Sequence, residues 1–132
     1  MEKVKTIAAN VAAIALISIV LVWGNTLYRQ HVQFDKGEKG LAAADFPAAV
    51  AGYEAAIHMY TPGSSKVGKS AEKLWEIGEM TERNGDLPRA LIAYRALRSS
   101  FYAIAWIYTP GQDWIARCDA RIAAILQRQQ GR

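Results

Sequence analysis

At 132 residues the chain holds at most one compact domain. Sixteen Lys plus Arg against twelve Asp plus Glu leave +4, and setting aside Lys3, Lys5, Arg29 and Glu2 leaves only +2 for everything else, too little for the massed basic face that nucleic acid requires. One cysteine excludes an internal disulfide framework or thiolate metal cluster, and 52% apolar residues exclude a disordered chain.

Residues 1–6 form a short basic N-terminus. From Ile7 to Trp23 the chain reads IAANVAAIALISIVLVW, without a charge. An unbroken helix over this run covers roughly 26 Å, and extension to Tyr28 passes the roughly 30 Å apolar core of a bilayer. Trp23 and Tyr28 stand at one end, where amphipathic rings favour the headgroup level, and Lys3 and Lys5 at the other. No A-x-A-like cleavage site follows the apolar core, so residues 7–28 read as an uncleaved transmembrane anchor rather than a removed signal peptide. The short basic N-terminus favours a cytoplasmic start. In a bacterium that puts the remainder in the periplasm, on a single-pass protein of the inner membrane. Ala8, Ala12 and Ala15 make a small-residue strip, and Asn10 is polar within the apolar run. Both suit packing against another membrane helix, although Asn10 also lies near enough to the lysine end to reach water.

Residues 29–34 read as a linker. After Phe34 the apolar spacing is helical and no run alternates like a strand. Helices are predicted over 35–44, 46–59, 65–84, 86–107 and 112–128, in a domain spanning 35–128 with a polar tail at 129–132. Asp45-Phe46-Pro47 and Asp86-Leu87-Pro88 each place an N-cap before an early-turn proline, and Gly85 can close the helix before it. Ser64, Ser65 and Asp113 are the caps available to the helices that follow. Tyr60-Thr61-Pro62-Gly63 recurs as Tyr108-Thr109-Pro110-Gly111, each ending a helix. Val67, Ala71, Leu74, Gly78 and Thr81 share a stripe. So do Leu87, Ala90, Leu91, Tyr94, Leu97, Phe101, Ile104 and Tyr108, and then Ile115, Cys118, Ile122, Ile125 and Leu126. Each helix has one face to bury, which antiparallel pairing satisfies.

Gly78, Gly85-Asp86-Leu87, Ala90, Leu91, Tyr94 and Leu97 resemble the tetratricopeptide repeat, and Gly37, Ala44-Asp45-Phe46, Ala49, Val50, Tyr53 and Ala56 form a weaker upstream copy. The offset between copies is 41 residues, against about 34 in the family. The extra residues fall around the Tyr60–Lys69 joint. The resemblance covers about residues 34 to 100 and implies an all-α fold: one transmembrane helix, then antiparallel hairpins of about two repeats plus a closing helix. Two repeats fall short of the usual three, so the closing helix is expected to be needed. In this family ligands often lie along the inner faces of the first helices. Carried onto the second copy, that face comprises Glu72, Trp75, Glu79, Glu82 and Arg83, an acidic groove suited to a basic segment of a partner.

Gly63 to Ser70 satisfies G-x-x-x-x-G-K-[ST], the phosphate-cradling pattern, but it follows a helical stripe instead of the strand that such a loop needs. His31 and His58 lack companions at ligand spacing, and Cys118 falls on an apolar stripe, so no metal site is expected. Glu72, Glu76, Glu79 and Glu82 recur on one helix with Lys69, Lys73 and Arg83 in pairing range, which reads as a solvated face. No nucleophile, base and orienting group assemble from Ser64, Ser65, Ser99 or Ser100. Phe101, Tyr102, Trp106, Trp114 and Trp75 supply aromatic area for either core or interface. The sequence therefore reads as a non-enzymatic, membrane-anchored adaptor without a cofactor, an accessory subunit of a larger envelope assembly. Its expected partners are other envelope subunits, with the bilayer contacting residues 7–28 and self-association possible. The alternatives are a nucleotide-binding protein using residues 63–70, and a secreted helical module released by signal cleavage.

Overall fold

A computed structural model describes residues 1–61 and 64–131. Among them the chain forms α1 (Glu2–Ala42), α2 (Phe46–His58), α3 (Lys66–Arg83), α4 (Leu87–Ala103) and α5 (Gln112–Gln130), with no strand.

The all-helical prediction holds, but residues 29–34 are not a linker. α1 runs unbroken for 41 residues, roughly 62 Å at 1.5 Å per residue. Its first part is the apolar span and its last part is the first helix of the domain. No Pro interrupts it, and around its one mid-span glycine, Gly24, a Cβ would meet nothing within 4 Å, so nothing there bends or breaks the helix. The segment predicted as a separate helix over 35–44 is thus the end of α1. It is long and apolar enough to cross a membrane, and the apolar window is entirely exposed.

Two hairpins follow from one turn used twice. Ala44 N–H donates to Leu41 O and Asp45 N–H to Gly40 O; 41 residues later Gly85 donates to Glu82 O and Asp86 to Thr81 O. This doublet ties off the last carbonyls of α1 and α3. It requires a left-handed residue, supplied by Ala44 (φ 55°) and Gly85 (φ 79°). Asp45 and Asp86 then cap the next helix as predicted, their carboxylates accepting from Ala48 N–H and Arg89 N–H at 3.2 Å each. Alanine is strained at this position, at about 1 kcal/mol or more. Ala44→Gly is therefore expected to stabilise the domain by about 1 kcal/mol, read as a higher denaturant midpoint at unchanged m-value. Gly85→Ala should do the reverse.

The hairpins α1–α2 and α3–α4 pack through α2, and α5 closes the stack on α4. Tyr53 and Tyr94, both fully buried, lie against Gly37 and Gly78: an added Cβ would stand 2.9 Å from Tyr53 Cδ1 or 2.5 Å from Tyr94 Cε1. The predicted α3 stripe is buried throughout, as is the α4 stripe to Phe101 and the α5 stripe except half-exposed Leu126. α4 ends at Ala103, short of the predicted 107, and Tyr108 is exposed. Pro110 disfavours helix at Thr109. Gly111 (φ 79°) lets the chain fold back over Phe101, where an added Cβ would meet the ring. Gly111, not Asp113, holds the N-cap position of α5; Asp113 sits in its first turn, where a carboxylate favours the helix dipole.

Candidate functional site

The predicted groove is filled by the chain itself. Trp75, on α3, packs its ring 5.0 Å from Tyr94 of α4 and 6.1 Å from Trp114 of α5. The Arg117 guanidinium lies 4.4 Å from the centroids of both Trp75 and Trp114, held between the two rings. Arg121 approaches Trp75 at 5.8 Å. A cation against an indole face contributes about 0.5 to 2 kcal/mol, more as water is excluded.

Two helical turns further along α3, Glu82 is the second anchor. Its side chain is only 10% exposed and makes ion pairs with Arg128 at 3.0 Å and Arg121 at 3.7 Å. It also accepts from the Tyr94 hydroxyl at 3.1 Å. Burial, followed by that hydrogen bond to a carboxylate, pushes the Tyr94 hydroxyl well above the ordinary phenol range. Tyr53 is raised in the same way, by burial and then by donation to Glu38 at 2.6 Å.

Of the five predicted positions, then, Trp75 and Glu82 face α5. Glu79 and Arg83 share the charged rim of this groove with Arg121 and Arg128. Glu72 is exposed and joins neither contact. The basic segment expected from a partner is supplied by α5, whose Arg117, Arg121 and Arg128 recur along one side of the helix. Separately, Lys73 pairs with Glu76 at 3.8 Å on the solvated side of α3.

Gln30, which falls in the predicted linker, is fully buried. Its Nε2 donates to Ala56 O at 3.0 Å and Met59 O at 3.1 Å, and its Oε1 accepts from the Ser64 hydroxyl. The side chain thereby satisfies end carbonyls of α2 and ties α1 to the α2–α3 joint just beyond the apolar span. A signal for it exists: Gln30, Phe34, Gly37 and Leu41 recur at steps of four, three and four, a helical stripe that begins before residue 34.

Other candidates separate. Pro62 and Gly63, the latter the start of the phosphate-loop pattern, lie outside the described residues. Of the remainder, Lys66 to Ser70 lie in α3. Helix α2, not a strand, comes before them, and Ser70 is fully buried with its Oγ unpartnered, away from any solvent-borne metal. His58 stands at the end of α2, 3.9 Å from Glu54, and His31 is exposed. No metal-binding group of His, Cys, Asp and Glu occurs among the described residues. Cys118 is fully buried; desolvation first, then Asp119, pushes its thiol up to about 11, an unreactive environment. On α1, Ala8, Ala12 and Ala15 are exposed along one stripe, whereas Asn10 is also exposed but lies about 200° around the helix from Ala8. The strip and Asn10 cannot serve one helix–helix contact.

No protein-family model, curated protein or solved structure matches this chain.

Proposed function

We propose that this chain is a membrane-anchored, tetratricopeptide-like adaptor, a non-enzymatic accessory subunit that holds partner proteins beside a bilayer. The observation that carries this reading is α1: a fully exposed apolar span that passes without a break into the first hairpin of the domain. A helix with no soluble surface to cover has lipid as its natural solvent. Its continuity makes the domain a rigid extension of the anchor. The repeated turn and the Gly37–Tyr53 and Gly78–Tyr94 contacts support the repeat-like reading of the hairpins.

In this reading the anchor sits in the inner membrane, with the domain on the extracytoplasmic side, in a transport, secretion or pilus-type assembly. Partners meet the rim left open by α5, where Glu79 and Arg83 offer both signs of charge. The test is to place the full chain in its native membrane and cross-link from the rim. The chain should resist alkaline carbonate extraction, and a defined subunit should be captured. Glu79→Lys with Arg83→Glu should abolish that capture while leaving the melting temperature unchanged. Extraction by carbonate would remove the anchor, and capture unaffected by the double substitution would remove the rim.

A further inference from the structure

The ends of the hairpins sort by level. α1 leads away from the apolar span, α2 returns, α3 leads away and α4 returns, so the α2–α3 and α4–α5 joints both lie at the end of the domain where the span emerges. Side-chain contacts agree. Tyr60 and Thr61 line a groove with Ser18, Val22, Trp23 and Thr26 of α1. The Tyr108 ring lies 6.3 Å from that of Tyr60. The two Tyr-Thr-Pro-Gly runs, 48 residues apart in sequence, thus bring their tyrosines together beside the last turns of the span.

From this joint the α4–α5 loop presents an uncovered apolar surface. A tight turn in which Trp106 N–H donates to Tyr108 O leaves Trp106 at 86%, Ile107 at 84% and Tyr108 at 66% exposure, with Tyr102 also exposed. No charged residue occurs between Arg98 and Asp113. A soluble surface seldom leaves a tryptophan and an isoleucine side by side in water, and such patches mark contact sites. The patch is joined to the span through Tyr108, whose ring meets that of Tyr60, and Tyr60 shares a groove with Trp23, where an aromatic ring is already expected in the headgroup region.

We propose that the α4–α5 loop is a second membrane-contact element, with Trp106, Ile107 and Tyr108, flanked by Tyr60, seated in the interfacial region of the bilayer that α1 crosses. The lipid surface is the occupant because the patch continues the apolar surface of the span and lacks charge. Apolar bodies with polar ring tips suit the headgroup boundary. Two attachment points, with Gln30 bracing α1 against the intervening joint, hold the domain at a set tilt on the membrane. This proposal rests on the anchored reading of α1.

The test uses the full chain in vesicles of phosphatidylethanolamine and phosphatidylglycerol, with spin labels on single introduced cysteines: Leu16→Cys in the span, Ile107→Cys in the loop and Asn84→Cys on the exposed distal turn. Cys118 is buried and is replaced in a parallel Cys118→Ala background to confirm that labelling is confined to the introduced site. Collision with oxygen, which concentrates in lipid, is compared with collision with a water-soluble nickel chelate. The expected result is oxygen-favoured collision at Leu16 and Ile107, with a several-fold higher nickel collision rate at Asn84. Nickel accessibility at Ile107 equal to that at Asn84, with Leu16 still in lipid, overturns the loop contact and leaves the anchor standing. Nickel accessibility at Leu16 overturns both. Dipolar broadening at Ile107 that disappears on dilution with unlabelled chain would assign the surface to a second copy and also overturn the proposal.

Discussion

Gly52→Val is expected to unfold the first hairpin. At this position α2 crosses α1 backbone to backbone: a Cβ on Gly52 would stand 2.6 Å from Gly37 Cα and 2.9 Å from the Gln33 carbonyl oxygen. Those atoms belong to a helix and cannot swing aside as a side-chain tip would. The helices must separate, and Tyr53, Ala49 and Gly40 lose their packing with them. We expect a cost of about 3 kcal/mol, the upper part of the usual range for overpacking, and a melting temperature lower by more than about 10 °C in a domain of this size. Gly52→Ala should cost less, because alanine recovers up to about 1 kcal/mol of helix propensity. Gly68→Ala is the control: nothing lies within 4 Å of its Cβ position, so the propensity gain of about 0.5 to 1 kcal/mol should appear alone. A stabilising Gly52→Val would show that the α1–α2 crossing is not as close as described.

Glu82→Lys is expected to release α5. The wild-type carboxylate, 10% exposed, neutralises Arg121 and Arg128 and accepts the Tyr94 hydroxyl. Reversal places three cations around one nearly buried point. Both arginines are about half exposed, so solvent screens part of the repulsion. The cost should be about 2 to 3 kcal/mol, below the roughly 3 to 5 kcal/mol of a fully buried pair that loses one partner. Its signature is local: faster hydrogen exchange and proteolysis in residues 112–130, with the Gly37–Tyr53 hairpin still protected. Glu82→Gln, which keeps a hydrogen-bond acceptor, should show a weaker form of the same change. Uniform destabilisation of both hairpins would instead mean that α5 is integral to a single folding unit.

Much of the framework is legible in the sequence because helix signals are local. Asp45 and Asp86 cap where the Asp-x-Pro spacing places them, and the stripes from Val67 to Thr81 and from Leu87 to Phe101 are buried as their period requires. The misplacements have physical causes. A linker at 29–34 follows from a change in composition, but a backbone helix does not register whether its side chains stay exposed or pack against the domain, and α1 continues through both stretches. An extension of α4 to 107 follows from apolar spacing alone, and spacing carries no information about Pro110 and Gly111 turning the chain over Phe101.

The site is half legible. Trp75 and Glu82 stand out as residues needing a partner, and the resemblance to a repeat family points that partner outward. That α5 fills the role depends on Arg117, Arg121 and Arg128 arriving at the right height on α3, a relation between residues 39 to 46 positions apart in sequence. Gln30 escapes notice for a related reason, since its partners Ala56 and Met59 are carbonyls that any sequence supplies.

By itself the amino-acid sequence determined the apolar span, the number of helices in the domain, most of the faces that α3, α4 and α5 bury and the Asp-capped helix starts repeated at 41 residues, because period and capping are properties of neighbours along the chain. Tertiary structure alone decided that the span and the first helix of the domain are one helix fixed by Gln30, that α5 lies on the Trp75–Glu82 face, and that Tyr60 and Tyr108 meet beside the span. Those outcomes depend on helix lengths and crossing contacts summed over the whole stack, which no local pattern encodes.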